Sequence, residues 1–205
     1  MKNSFLFITC VILLSFTSKA QIITDIDEIT PFHEKLAAIK KDGKWAFINP
    51  KGEIVIDYRD DLVTTTIGKQ SYPLFKGGKC IIKQMVEEVH YYGYIDIKGK
   101  ITIKPEYINA INFDQGHAIV LKLEKEKLGE NKILGKNVVS YTYNEVVIDT
   151  LGNEKAYLVG PIHIDFKKTT IKTPPAIQSH ILSSNLAVMK TKDKGLQIHR
   201  LKKSN

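Results

Sequence analysis

Tyr92-Gly93-Tyr94-Ile95-Asp96-Ile97-Lys98-Gly99 has two gapless counterparts in the chain. Trp45-Ala46-Phe47-Ile48-Asn49-Pro50-Lys51-Gly52 lies 47 residues before it, and Glu145-Val146-Val147-Ile148-Asp149-Thr150-Leu151-Gly152 lies 53 residues after it. Each is a short apolar strand followed by Asp or Asn, two further residues and Gly. An Asx oxygen can accept backbone N–H bonds from residues just ahead of it, and glycine in the fourth place supplies the positive φ that reverses the chain. Pro50 suits the second place of such a turn. Alternating segments follow: Glu53-Ile54-Val55-Ile56, Lys100-Ile101-Thr102-Ile103 and, more weakly, Asn153 to Val159. The pattern predicts a recurring β-hairpin.

A second piece recurs with it. Phe32-His33-Glu34-Lys35-Leu36-Ala37-Ala38-Ile39, Phe75-Lys76-Gly77-Gly78-Lys79-Cys80-Ile81-Ile82 and Phe113-Asp114-Gln115-Gly116-His117-Ala118-Ile119-Val120 each put an aromatic and a polar step before a small apolar strand. Ser184-Asn185-Leu186-Ala187-Val188 is a worn copy. Ala38, Ile81, Ile119 and Val188 are expected to point inward, with small side chains letting neighbouring strands stack closely.

These pieces resemble WG repeats, also called KWG β-repeats, whose pattern runs G-K-W-G-F/Y-I-D-x-x-G-K, then I-x-P-x-Y/F, then F-x-x-G-x-A-x-V. Gly93 to Val120 follows it, with Tyr92 where the Trp stands. Gly43 to Gly52 has Ala46 for the second letter of the WG pair, and Tyr58 replaces the proline further on. The copy from Glu145 is degenerate. The resemblance covers Ile29 to Lys155 well and the remainder poorly. It implies a bacterial β-rich repeat protein, often exported, with no catalytic site common to the family. The fold expected is all-β, with antiparallel hairpin repeats in an irregular curved array; a small closed propeller-like ring is the alternative. Two stretches break the array. Residues 121–144 read as an inserted, projecting hairpin, and Pro161–Ile181, with Lys167-Lys168-Thr169-Thr170 and Pro174-Pro175, reads as a broken repeat or a surface connection.

The 205 residues suffice for one sizeable core, and 43% hydrophobic with 25% charged residues excludes a disordered chain. Lys2, the apolar stretch Phe5 to Phe16 and Ser18-Lys19-Ala20 read as a secretory signal peptide over residues 1–20, too short to span a bilayer. The expected mature domain, 21–205, keeps a net charge of +6 and one cysteine, Cys80. It carries no transmembrane span and is expected in the periplasm, at the cell surface or outside the cell. A lone thiol in an oxidising compartment is expected to be buried.

No catalytic pattern survives inspection. His33-Glu34 starts H-E-x-x-H, but Ala37 stands where the second histidine is needed. Only His163-Ile164-Asp165 has metal-ligand spacing, and surface histidines are the plainer reading. A Cys80–His90 nucleophile pair is conceivable, yet Cys80 falls at a packing position, level with Leu36 and beside Ala118. Gly77-Gly78-Lys79 is a turn rather than a phosphate loop, and no G-x-S-x-G, P-loop or dinucleotide fingerprint occurs. Asp57, Asp60 and Asp61 could serve a carboxylate-dependent hydrolase, which is the alternative to a binding role. Of 30 basic residues only Arg59 and Arg200 are arginine, and the lysines are dispersed, which argues against nucleic acid. No cofactor or metal is expected.

The remaining expectation is a non-catalytic binding or scaffolding protein that recognises a protein or glycan at the bacterial envelope. Trp45, Phe47, Tyr92 and Tyr94 sit at shared repeat positions and are assigned to packing. Tyr91, Tyr141 and Tyr143 lie off the pattern and are the binding candidates, with Lys125 and Lys132 of the inserted hairpin. The leader gives the first prediction. Mass spectrometry of the exported protein should find Gln21 at its N-terminus, and an intact Met1 would contradict it.

Overall fold

The computed structural model describes residues 23–131, 135–165, 173–191 and 195–201. The expected leader, the Lys167–Thr170 run and Lys132 lie outside the described residues. The strands are β1 (Glu28–Ile29), β2 (Ala37–Lys41), β3 (Lys44–Ile48), β4 (Ile54–Arg59), β5 (Thr65–Ile67), β6 (Gln70–Tyr72), β7 (Lys79–Val86), β8 (Val89–Asp96), β9 (Ile101–Tyr107), β10 (Asn109–Ala110), β11 (His117–Asn131), β12 (Lys136–Asp149), β13 (Glu154–His163), β14 (His180–Ser183), β15 (Leu186–Thr191) and β16 (Gly195–Arg200). They form antiparallel sheets ordered β1-β2-β3-β4, β7-β8-β9, β10-β11-β12-β13 and β14-β15-β16, with β5-β6 as a small hairpin between the first two.

The Asx turns have the form expected from the sequence in all three copies. Asn49, Asp96 and Asp149 each offer Oδ1 to two backbone N–H groups, at Lys51 and Glu53, Lys98 and Lys100, and Leu151 and Asn153, over 2.9–3.1 Å. The backbone N–H of Gly52, Gly99 or Gly152 donates to the carbonyl of the same Asx. Burial would raise the Asp149 pKa, but Lys155, Asn153 and the turn amides outweigh it and hold the carboxyl at about 2.

The preceding turns are two-residue reversals closed by His33–Leu36, Lys76–Lys79 and Asp114–His117. Both central residues of each have positive φ: Glu34 and Lys35, Gly77 and Gly78, Gln115 and Gly116. That register makes Ala37, Cys80 and Ala118 equivalent. It corrects the alignment of Cys80 with Leu36 by one residue.

The two inner sheets are covered on both faces by their neighbours in sequence, and the outer face of the first, Ala37, Ile39, Ala46 and Ile48, is closed by Ile23, Ile26 and Tyr58. Leu36, Ala38, Trp45, Phe47 and Ile56 of the first sheet pack against Cys80, Ile82 and Ile95 of the second. Ile81, Tyr94 and Ile103, on the second sheet's other face, meet Ala118, Val120, Val146 and Ile148 of the third. Ile119, Val147 and Leu158 then meet Ile181 and Ala187 of the fourth. Both-face burial explains the continuous apolar runs Ala37–Ile39, Cys80–Ile82 and Ala118–Leu121, where a one-sided strand would alternate. Ala38, Ile81, Ile119 and Val188 are all buried, as their repeat position requires.

Two features were not read from the sequence. Short edge segments extend each of the first three sheets, through the pairs Ile29–Ile39, Leu62–Ile82 and Ala110–Val120. The segment at 173–179 is a clamped connection. Gln178 and Ser179 N–H donate to the buried Glu145 carboxylate at 2.7 and 3.1 Å, and Asn109 Nδ2 donates to the Pro175 carbonyl.

The turn glycines also touch the preceding sheet. A side chain at Gly99 would start 3.3 Å from Ile56 Cγ2, and one at Gly152 3.4 Å from Ile103 Cγ1. Gly99 has φ 76°, which a β-branched residue resists. Gly99→Val should therefore lower stability by about 1 kcal/mol or more in thermal or denaturant melts. An unchanged melt would contradict this turn geometry.

Candidate functional site

Of the three loop carboxylates, Asp61 is held in a clamp. Arg59 Nε and Nη2 donate to Asp61 Oδ1 and Oδ2 at 2.5 and 2.6 Å, and Nη1 donates to the Gly99 carbonyl at 3.2 Å. The hydrogen bond to Asp61 raises the Arg59 pKa against the opposing effect of burial. Asp57 and Asp60 are outside this clamp, Asp57 exposed and Asp60 on the rim of the depression lined by Val55 to Asp61, Lys98 and Gly99. The fork ties the end of β4 to the next sheet's Asx turn and uses both oxygens of Asp61.

Cys80 is fully buried, and burial pushes its thiol up to about 12, with Arg59 opposing the rise. His90 is far from it. Cys80 pairs with Ile95 and Met85 with His90, five steps along the β7–β8 ladder, or about 17 Å. The histidines stay apart from metal-ligand geometry too. Among the described residues no three His, Cys, Asp or Glu side chains gather to hold an ion. His163 Nδ1 sits 3.4 Å from Ser140 Oγ, and His33 Nε2 lies 3.2 Å from the Tyr72 hydroxyl.

Of the off-pattern aromatics, Tyr141 and Tyr143 share one strand. β11 and β12 run as one long ladder from His117–Asp149 to Asn131–Lys136, with a bulge between Lys127 and Gly129. Tyr141 and Tyr143 are two residues apart on β12 and share a face. Tyr91 stands on β8 of the preceding sheet, and burial, followed by Glu87 and Tyr141, raises its pKa. Burial followed by Glu145 does the same for Tyr143. All three residues are half-buried. Lys125 is exposed, pairs across the ladder with Tyr141 and holds its ammonium 5.7 Å from the centre of that ring. Lys122, by contrast, is used by Glu154 and Tyr157, at 2.7 and 2.9 Å.

Met85 and Val86, at the tip of the β7–β8 hairpin, were missed by the sequence reading. They are exposed, and Met85 pairs directly with His90, the neighbour of Tyr91. The available signal was the apolar pair Met85-Val86 just beyond Gln84, the repeat-equivalent of the last residue of β2.

The architecture is that of a β-repeat array, and comparison with known families agrees. A family model described as a WG containing repeat matches residues 22–45 and 92–125. The chain thus contains WG repeats over these two stretches. The second match starts on β8 and ends on β11, so the sequence repeat straddles two sheets and is one strand out of phase with the structural one. No curated protein and no solved structure matches the chain. No helix among the described residues is long and apolar enough to cross a membrane.

The burial of Cys80 sets an expectation for its chemistry. Thiol reagents should label it slowly in the native protein and quickly in denaturant, because the thiolate forms only when the sheets separate. Rapid native labelling would place the thiol on the surface.

Proposed function

We propose that this protein is a non-catalytic binding or scaffolding element of the bacterial envelope or exterior. Its partner is a protein or glycan, contacted through the projecting β11–β12 hairpin. The observation that carries the proposal is the pair Tyr141 and Tyr143 on one face of β12, with the Lys125 ammonium over the Tyr141 ring and Tyr91 half-buried on the preceding sheet. These rings are absent from the repeat-equivalent packing positions, and the inter-sheet cores do without them. Half-buried aromatics combine a large apolar contact with a polar edge, which suits sugar rings and peptide segments alike. A ladder rigid at its base supports them better than an irregular loop would.

Replacing residues 124–142 by a two-residue turn should keep the melting temperature within about 3 °C, since the removed strands extend past the stacked cores. The same change should abolish capture of the partner from envelope extract. Tyr91→Ala with Tyr141→Ala should weaken capture by tenfold or more while preserving the fold. Capture of the same partner by the shortened protein, or no capture by the intact one, would remove the proposal.

A further inference from the structure

The ring contacts that join successive sheets leave a bare ring at the head and a bare receiving face at the tail, while the rest of the first sheet's outer face is closed by Ile23, Ile26 and Tyr58. Phe75 and Phe113, which lead the second and third sheets, are buried edge-on against Phe47 and Tyr94 of the sheet before, at 4.8 Å between centroids. Phe32 holds the same place ahead of the first sheet and is 50% exposed. At the opposite end, Ile198 pairs with Val188 as Phe47 pairs with Ala38, Tyr94 with Ile81 and Val147 with Ile119. Phe47, Tyr94 and Val147 are at most 1% exposed because the next sheet covers them, whereas Ile198 is 68% exposed. Leu196, at the place of Trp45 and Tyr92, is 71% exposed, and Leu182 is 52% exposed. The forward face of the fourth sheet is thus the receiving half of a contact the chain makes three times.

Charge divides the two ends in a complementary sense. Residues 23–34 contain Asp25, Asp27, Glu28 and Glu34 and no Lys or Arg. Glu28 is paired with Lys40, and Glu34 accepts from Gly77 and Gly78 N–H. Asp25 and Asp27 are exposed and have no ion-pair partner among the described residues. Among the described residues of the fourth sheet, Lys190 and Arg200 are exposed and none is acidic. Lys190 is exposed and pairs across strands with Leu196, beside the bare apolar patch. Two fourth sheets placed face to face would bring these basic rims together. The acidic head of another copy meets the same rim with the opposite sign.

We propose that copies of this protein associate head to tail, the segment around Ile29 and Phe32 of one copy docking on the Leu182, Leu196 and Ile198 face of the next. The two surfaces differ, so the contact is heterologous and each added copy presents a fresh receiving face. Association is expected to weaken with salt, because the opposed charges are exposed.

Sedimentation velocity over a concentration series tests this on the purified protein, up to about 300 µM to reach transient affinities. The average mass should rise past that of a dimer and fall back on raising salt from about 0.05 M to about 1 M. Ile198→Asp blocks the tail and Phe32→Lys blocks the head; both side chains are exposed, so circular dichroism should be unchanged. Each variant alone should stay monomeric. Their equimolar mixture should stop at a dimer, since one retains a working head and the other a working tail. A monomeric parent at every concentration would overturn the proposal. So would self-association of either variant, or a mixture that remains monomeric. Binding of a monomeric parent to anionic lipid vesicles would assign the basic face to membrane instead.

Discussion

Stacking of one antiparallel sheet on the next, through both faces, is the interaction on which the structure depends. A single three- or four-stranded sheet of this size has no core of its own. Here each sheet borrows one from its neighbours. The edge-to-face pairs Phe47–Phe75 and Tyr94–Phe113, with interplanar angles of 70° and 67°, fix how successive sheets sit. The small residues Ala37, Cys80, Ala118 and Ala187, all fully buried, provide the backing surface. Stability in such an array is a sum of nearest-neighbour terms rather than one global core.

Among the described residues, the side-chain contacts between sheets follow the same order, each running to the next one along. Glu34 accepts from the amides of the Gly77-Gly78 turn, Lys76 pairs with Asp114 at 3.2 Å, and Arg59 reaches the Gly99 carbonyl. A side chain at Gly93 would meet the Ile103 carbonyl oxygen at 2.4 Å, so glycine there lets β9 fold closely over β8. Ala46 is accommodated at the equivalent place in the first sheet, where the returning strand has Tyr58 rather than proline. With the faces of the inner sheets consumed by packing, what remains for recognition is the projecting hairpins and the uncovered end.

The hairpins and Asx turns were legible in the sequence because they rest on local chemistry: an Asx acceptor, a glycine at positive φ, alternation after the turn. Phe47 and Tyr94 were correctly assigned to inter-sheet packing because they recur at one repeat position. The edge pairs Ile29–Ile39, Leu62–Ile82 and Ala110–Val120 were not legible, since two or three residues carry no period and are recruited by a strand already in place. The Cys80 register slipped by one because the aromatic-led segments vary at Lys79 and Leu36, and only the closed turns fix the alignment. The face that Tyr141 and Tyr143 share with Lys125 depends on the register of the long β11–β12 ladder, which no local pattern encodes. Commitment of Asp61 to Arg59 was equally out of reach, although the residues lie two apart.

A double-mutant cycle across the sheet junctions tests the stacking most directly. Phe47→Leu and Phe75→Leu, singly and together, are compared by denaturant unfolding, with the Phe47→Leu and Phe113→Leu pair as reference. The account predicts a coupling of about 0.5–1.5 kcal/mol between Phe47 and Phe75 and none beyond about 0.3 kcal/mol between Phe47 and Phe113. Additive effects for Phe47 and Phe75 would contradict the ring contact as the joint between sheets.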